Sequence, residues 1–146
     1  MQRFAFLEAK YNADVRPRLL VNDVSLTVHP TGTAVISYCS RLPKAEAVVG
    51  VAMMFGILEL GWSGYQFRFR FPLSDDPPPI SKRAGKARRD FRQAFRWAAF
   101  HLIPEHLLRE IEREGHQPWI LCERESVTPE LVACRLGVLP PMLTRA

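Results

Sequence analysis

Up to residue 72 the apolar positions of this chain recur mostly at every second residue; beyond residue 86 the repeat lengthens to that of a helix. Arg3–Leu7 alternates, with Phe4 and Phe6 on one side, and reads as an edge strand. Leu19–Val28 and Thr33–Ser40 are rich in Val, Leu, Ile and Thr, and they flank His29-Pro30-Thr31-Gly32. Pro and Gly there supply turn geometry, so the pattern predicts a β-hairpin. Val24, Leu26 and Val28 share one of its faces, and Ser25, Thr27 and His29 the other. Tyr65–Phe71 alternates most cleanly, with Tyr65, Phe67, Phe69 and Phe71 opposite Gln66, Arg68 and Arg70. The four aromatics are expected in the core, which turns Arg68 and Arg70 to solvent.

Ala47–Leu60 reads two ways. Pro43 followed by Lys44, Ala45 and Glu46 resembles the first turn of a helix, while Val48, Val49, Val51, Phe55 and Ile57 suit a buried strand. Its apolar residues cover every face of a helical wheel, so periodicity does not choose.

Ser74-Asp75-Asp76-Pro77-Pro78-Pro79 stops all regular structure, and residues 74–85 are expected to form an extended, flexible connector. After it, Ala87, Phe91, Ala94, Phe95, Ala98 and Leu102 form one stripe of a helix over 86–103. Pro104 ends that helix and starts a second, over 104–114, which Gly115 closes. Trp119–Cys122 reads as a short strand within 118–123. Thr128-Pro129-Glu130 caps and opens a last helix, 129–136, ended by Gly137. The elements together predict one α+β domain over 1–146: an antiparallel sheet from residues 3–72 plus the short strand, covered by the three helices.

A length of 146 residues supports a core without metal or disulfide staples, and 47% hydrophobic residues argue against wholesale disorder. The longest apolar run, Ala47–Leu58, is too short to span a bilayer, and no signal peptide is read in the first residues. Cys39, Cys122 and Cys134 are odd in number and widely spaced, which favours reduced thiols and a cytoplasmic location.

Charge changes the picture most. Lys82, Arg83, Lys86, Arg88, Arg89, Arg92 and Arg96 set seven cations against one acid, Asp90, whereas the rest of the chain has thirteen against fourteen. The formal charge of +5 is therefore one local patch on a nearly neutral body. Arg88, Arg92 and Arg96 lie in a row of about 12 Å, beside the apolar stripe. Five of the seven cations are Arg, whose forked donors match phosphate and carboxylate. The pattern points to nucleic acid, DNA or RNA, gripped by its backbone, with Arg68 and Arg70 able to enlarge the patch. An acidic protein surface is the alternative partner, and a merely solvated helix face the plainest one. A membrane-surface helix ranks last, because the apolar stripe is needed to cover the sheet.

Chemistry is thinly represented. His101 and His106 are five residues apart across a proline, poor spacing for two metal ligands on one helical face. Glu123 and Glu125 lack a partner base or a phosphate-cradling glycine loop. No catalytic residue, metal site or cofactor is assigned, and the expected function is non-enzymatic.

Overall fold

A computed structural model of the chain describes residues 1–19, 23–61, 66–71 and 84–137. A 3-10 turn at Gln2–Phe4 leads into α1 (Ala5–Tyr11) and then β1 (Ala13–Arg18), β2 (Asp23–Val28) and β3 (Ala34–Cys39). These are followed by α2 (Lys44–Glu59), β4 (Gln66–Arg70), α3 (Ala84–Leu102), α4 (Glu105–Arg113), a second 3-10 turn (Pro118–Ile120), α5 (Leu121–Arg124) and α6 (Pro129–Leu136). The fold is α+β, built on a four-stranded sheet in the order β1-β3-β2-β4.

The predicted hairpin is present as β2 and β3, joined through the reverse turn at His29–Thr33, where Gly32 adopts φ +91°. The sheet is mixed rather than wholly antiparallel. β2 runs against β3 and β4, but β1 pairs parallel to β3 with Val15 opposite Ile36. β1 begins directly after α1, which Asn12 ends in the left-handed conformation (φ 51°), one that Asn tolerates better than most residues. Pro17 lacks a donor, and an edge strand is where that does least harm.

Two segments read as strands are helical. Arg3–Leu7 lies in the first 3-10 turn and α1, because Phe4 and Leu7, three apart, are the buried pair, while Phe6 is 78% exposed. Trp119–Cys122 belongs to the second 3-10 turn and α5, with Pro118 at the first position. A strand there has no sheet edge to join, whereas a helical turn buries Leu121 against its neighbours.

The sheet has one apolar and one polar face. Val15, Ile36, Leu26 and Phe67 form one row across all four strands on the helix side, and Val24 opposite Phe69 lies on the same side in the next row. Burying each large aliphatic among them stabilises the fold by about 1.5–3 kcal/mol. The segment left open between strand and helix is α2, in which all eleven residues from Ala47 to Ile57 are buried. Surfaces meet it on every side: the sheet at Gly50, α3 at Gly56, and Phe4, whose ring centre is 5.6 Å from that of Phe55. A Cβ at Gly56 would stand 3.1 Å from the Ala94 carbonyl oxygen, so the missing side chain lets α2 and α3 cross closely.

α3 presents the predicted stripe, with Ala94, Ala98, Ala99 and Leu102 buried. Phe67, Phe69, Phe91 and Phe95 form a run of ring contacts from β4 onto α3, with centroids 5.0, 5.2 and 6.4 Å apart. Phe69 and Phe71 of the aromatic face are thus buried in the core and Phe67 packs against it, while Tyr65 lies outside the described residues. α6 has its cap, Thr128 Oγ1 accepting from the Leu131 amide at 3.3 Å, and Gly137 ends it at φ 72°. No helix among the described residues is long and apolar enough to cross a membrane.

Candidate nucleic-acid interface

The period that buries Ala94 and Ala98 and lays Phe91 against the core turns Arg89, Arg92 and Arg96 outward, and all three are exposed. Among the described residues none of them meets a carboxylate. Most arginines elsewhere do, among them Arg3 with Glu125, Arg16 with Asp14, Arg109 and Arg135 with Glu105, and Arg124 with Glu114, while Arg18, Arg41 and Arg113 do not among the described residues. Lys82 and Arg83 lie outside the described residues, as do most of the 74–85 connector and the side chains of Lys86 and Arg88. Ala84 and Gly85, assigned to the connector by sequence, already belong to α3.

One turn beyond Arg96 on the same face stands Phe100, 45% exposed. The Arg96 guanidinium lies 5.4 Å from its ring centre, and that of Arg135 lies 4.2 Å from it. Arg135 is itself held firmly: its Nε donates to the Ile103 carbonyl at 2.6 Å, and its Nη2 stands 3.2 Å from Glu105. The end of the row is therefore a fixed cation–aromatic–cation cluster. Cys134, beside it, has its thiol pKa pushed up by burial, with the charge of Arg96 pulling the other way. Replacing Arg96 by Ala is expected to raise that pKa further and slow Cys134 alkylation at mildly alkaline pH, measured by mass spectrometry against Cys122.

Arg68 and Arg70 point away from the core, as anticipated, but they stand on the sheet face opposite the one that α2 covers and that Phe91 of α3 meets at Phe69. There they share one carboxylate. Asp23, 4% exposed, is 3.0 Å from Arg70 Nε and 3.6 Å from Arg68 Nε. On the same face, Arg16 and Arg18 project from β1, and Ser25, Thr27, Val35 and Ser37 from the two central strands. Sequence reasoning missed this surface because β1 was not read as a strand; the alternation Asp14, Arg16, Arg18 around Val15 and Pro17 was the available signal.

A second grouping was also missed. A recess of about 290 Å³ brings Arg3, His101, His106 and Glu125 together at the junction of the first turn, α3, α4 and α5. Trp97 stacks on His101 with ring centres 4.9 Å apart. Burial first, and the Arg3 charge second, lower the His101 pKa below its ordinary value. His101 is thus neutral in the fold at pH values where the unfolded chain already takes a proton. It contributes no pH dependence well above 6.5, and stability is lost as pH falls through 6.5 until the lowered folded value is passed. His101→Gln is expected to flatten that part of a stability–pH curve, measured by denaturant titration between neutral and mildly acid pH. Among the described residues no three His, Cys, Asp or Glu side chains come together as a metal site. Cys39, Cys122 and Cys134 form no disulfide among the described residues. Burial, and then the Glu130 charge, push up the Cys122 thiol pKa, which leaves it a poor nucleophile.

No protein-family model matches this chain, and no curated protein is significantly similar to it.

Proposed function

We propose that this chain is a non-enzymatic accessory protein that holds nucleic acid by its phosphate backbone. Arg89, Arg92 and Arg96 of α3 make the contacts, and Lys82, Arg83, Lys86 and Arg88 extend the cationic run toward the preceding segment. The observation that supports this reading is the grouping: Arg89, Arg92 and Arg96 stand exposed on one face of one helix, and among the described residues none of the three faces a carboxylate, whereas seven arginines elsewhere do. Spacing of one turn between Arg92 and Arg96, about 6 Å, suits successive phosphates better than base edges. Sequence preference is accordingly weak and salt dependence strong. The cytoplasm is the proposed location, where three cysteines outside any disulfide stay reduced.

A second reading has its own support. Phe100, exposed between Arg96 and Arg135, adds an apolar anchor of the kind protein interfaces use, so the same face would dock on an acidic protein. Fluorescence anisotropy with mixed-sequence duplex DNA and single-stranded RNA at low salt separates the two. Binding to either one that weakens with added salt is expected. No binding to either rejects the first reading, and an acidic protein co-purifying through Phe100 favours the second.

A further inference from the structure

We propose that the open face of the sheet carries a binding site for a small phosphomonoester, separate from α3. A recess of about 270 Å³ lies there, lined by Arg18, Ser25, Thr27, His29, Ser37 and Arg68, with Val35 beside them. Register explains why these residues meet. Ser25 is opposite Ser37 on one side and Arg68 on the other, and Thr27 is opposite Val35, so hydroxyls floor the two central strands. Arg18 and Arg68 come from the two edge strands, about 14 Å apart across three strand spacings, and flank that floor.

Among the described residues the lining contains cations and hydroxyl donors but no carboxylate. Asp23, the nearest acid to Arg68, forms its shorter contact with Arg70 at 3.0 Å. At 3.6 Å it leaves the Arg68 guanidinium with no hydrogen bond among the described residues. Arg18 meets no carboxylate among them either. Among the described residues the side chains of Ser25, Thr27 and Ser37 likewise make no hydrogen bonds. Polar groups set in a recess without partners are what an oxyanion with several acceptor oxygens satisfies. A tetrahedral phosphate fits two guanidinium groups and three hydroxyls better than a planar carboxylate, which has fewer oxygens to share. Among the described residues no Phe, Tyr or Trp lines the recess, so none of them stacks a nucleobase there. Its size suits a phosphate carried on a compact polar group, at the small end of ligand sites.

Amide chemical-shift titration of the full chain with inorganic phosphate and with glycerol 3-phosphate tests the site. Saturable shifts at Ser25, Thr27, Val35, Ser37 and Arg68 are expected, stronger with the ester than with phosphate alone. Arg18→Gln and Arg68→Gln are each expected to weaken binding about tenfold or more, as loss of a charged hydrogen bond implies. Ser37→Ala, which keeps the charge, is expected to weaken it several-fold, and Arg113→Gln, remote from the recess, to leave it unchanged. The proposal is overturned by the absence of saturable shifts, by shifts centred on α3, or by binding to either Arg variant as tight as to the unaltered protein. Preferential shifting of the same amides by an oligonucleotide also overturns it, since polymer phosphates would then be the occupant.

Discussion

Alanine at Arg89, Arg92 and Arg96 together is expected to lower the slope of log affinity against log salt by roughly 2.7 on duplex DNA, and by about 2 on a single strand. Each neutralised phosphate releases its condensed counterion, and three arginines account for three such contacts. Between about 50 and 200 mM salt, the unaltered protein should therefore lose roughly 40-fold more affinity than the variant. The thermal midpoint should barely move, because the three side chains are exposed and carry no ion pair that the fold depends on. Removing like charges spaced seven or fewer residues apart also relieves a small repulsion within α3. A variant that stays folded and keeps the original slope would remove α3 from the interface altogether. A variant that unfolds would show instead that these arginines support the helix itself.

Gly50→Ala is expected to destabilise the protein by about 1–3 kcal/mol, although alanine is the better helix former by nearly 1 kcal/mol. The new methyl would stand 2.5 Å from Val24 Cγ2 and 3.0 Å from the Phe71 ring. Val24 is wholly buried and stiff about χ1, so the strand or the helix must shift to relieve the overlap. In a domain of this size the loss corresponds to a fall of roughly 3–10 °C in the melting midpoint. Calorimetry on the variant measures it directly, and an unchanged or higher midpoint would mean that α2 does not lie this close to β2.

Periodicity revealed the elements that have one wet face and concealed those that do not. α3 was readable because its stripe of Ala and Phe faces α2 while its arginines face water. α2 was not, because burial on every side leaves no polar positions to set a period, and a strand and a helix then look alike. α1 was misread for the opposite reason: Phe6 is apolar but exposed, so its alternation with Phe4 carried no structural meaning. β1 escaped notice because Pro17 and three charged residues disguise an edge strand, and its partner β3 follows only after another strand. The candidate interface divides in the same way. The α3 row follows from spacing along one helix. The grouping of Arg18, Ser37, Ser25 and Arg68 depends on the register of four strands, and that of Arg3, His101 and Glu125 on how distant helices pack. Neither kind of proximity is written into local sequence.

Because α2 is apolar all round and α3 lies on it, the chain leaves the ribosome in an awkward order. The residues of α2 emerge well before those of α3, and at about 5–20 residues per second the wait lasts for seconds. Throughout that interval one flank of a greasy rod has only a nascent sheet for company. A chain halted between the two helices would thus be sticky, and a chaperone that shields Met53, Met54 and Phe55 would have its moment during translation rather than after release.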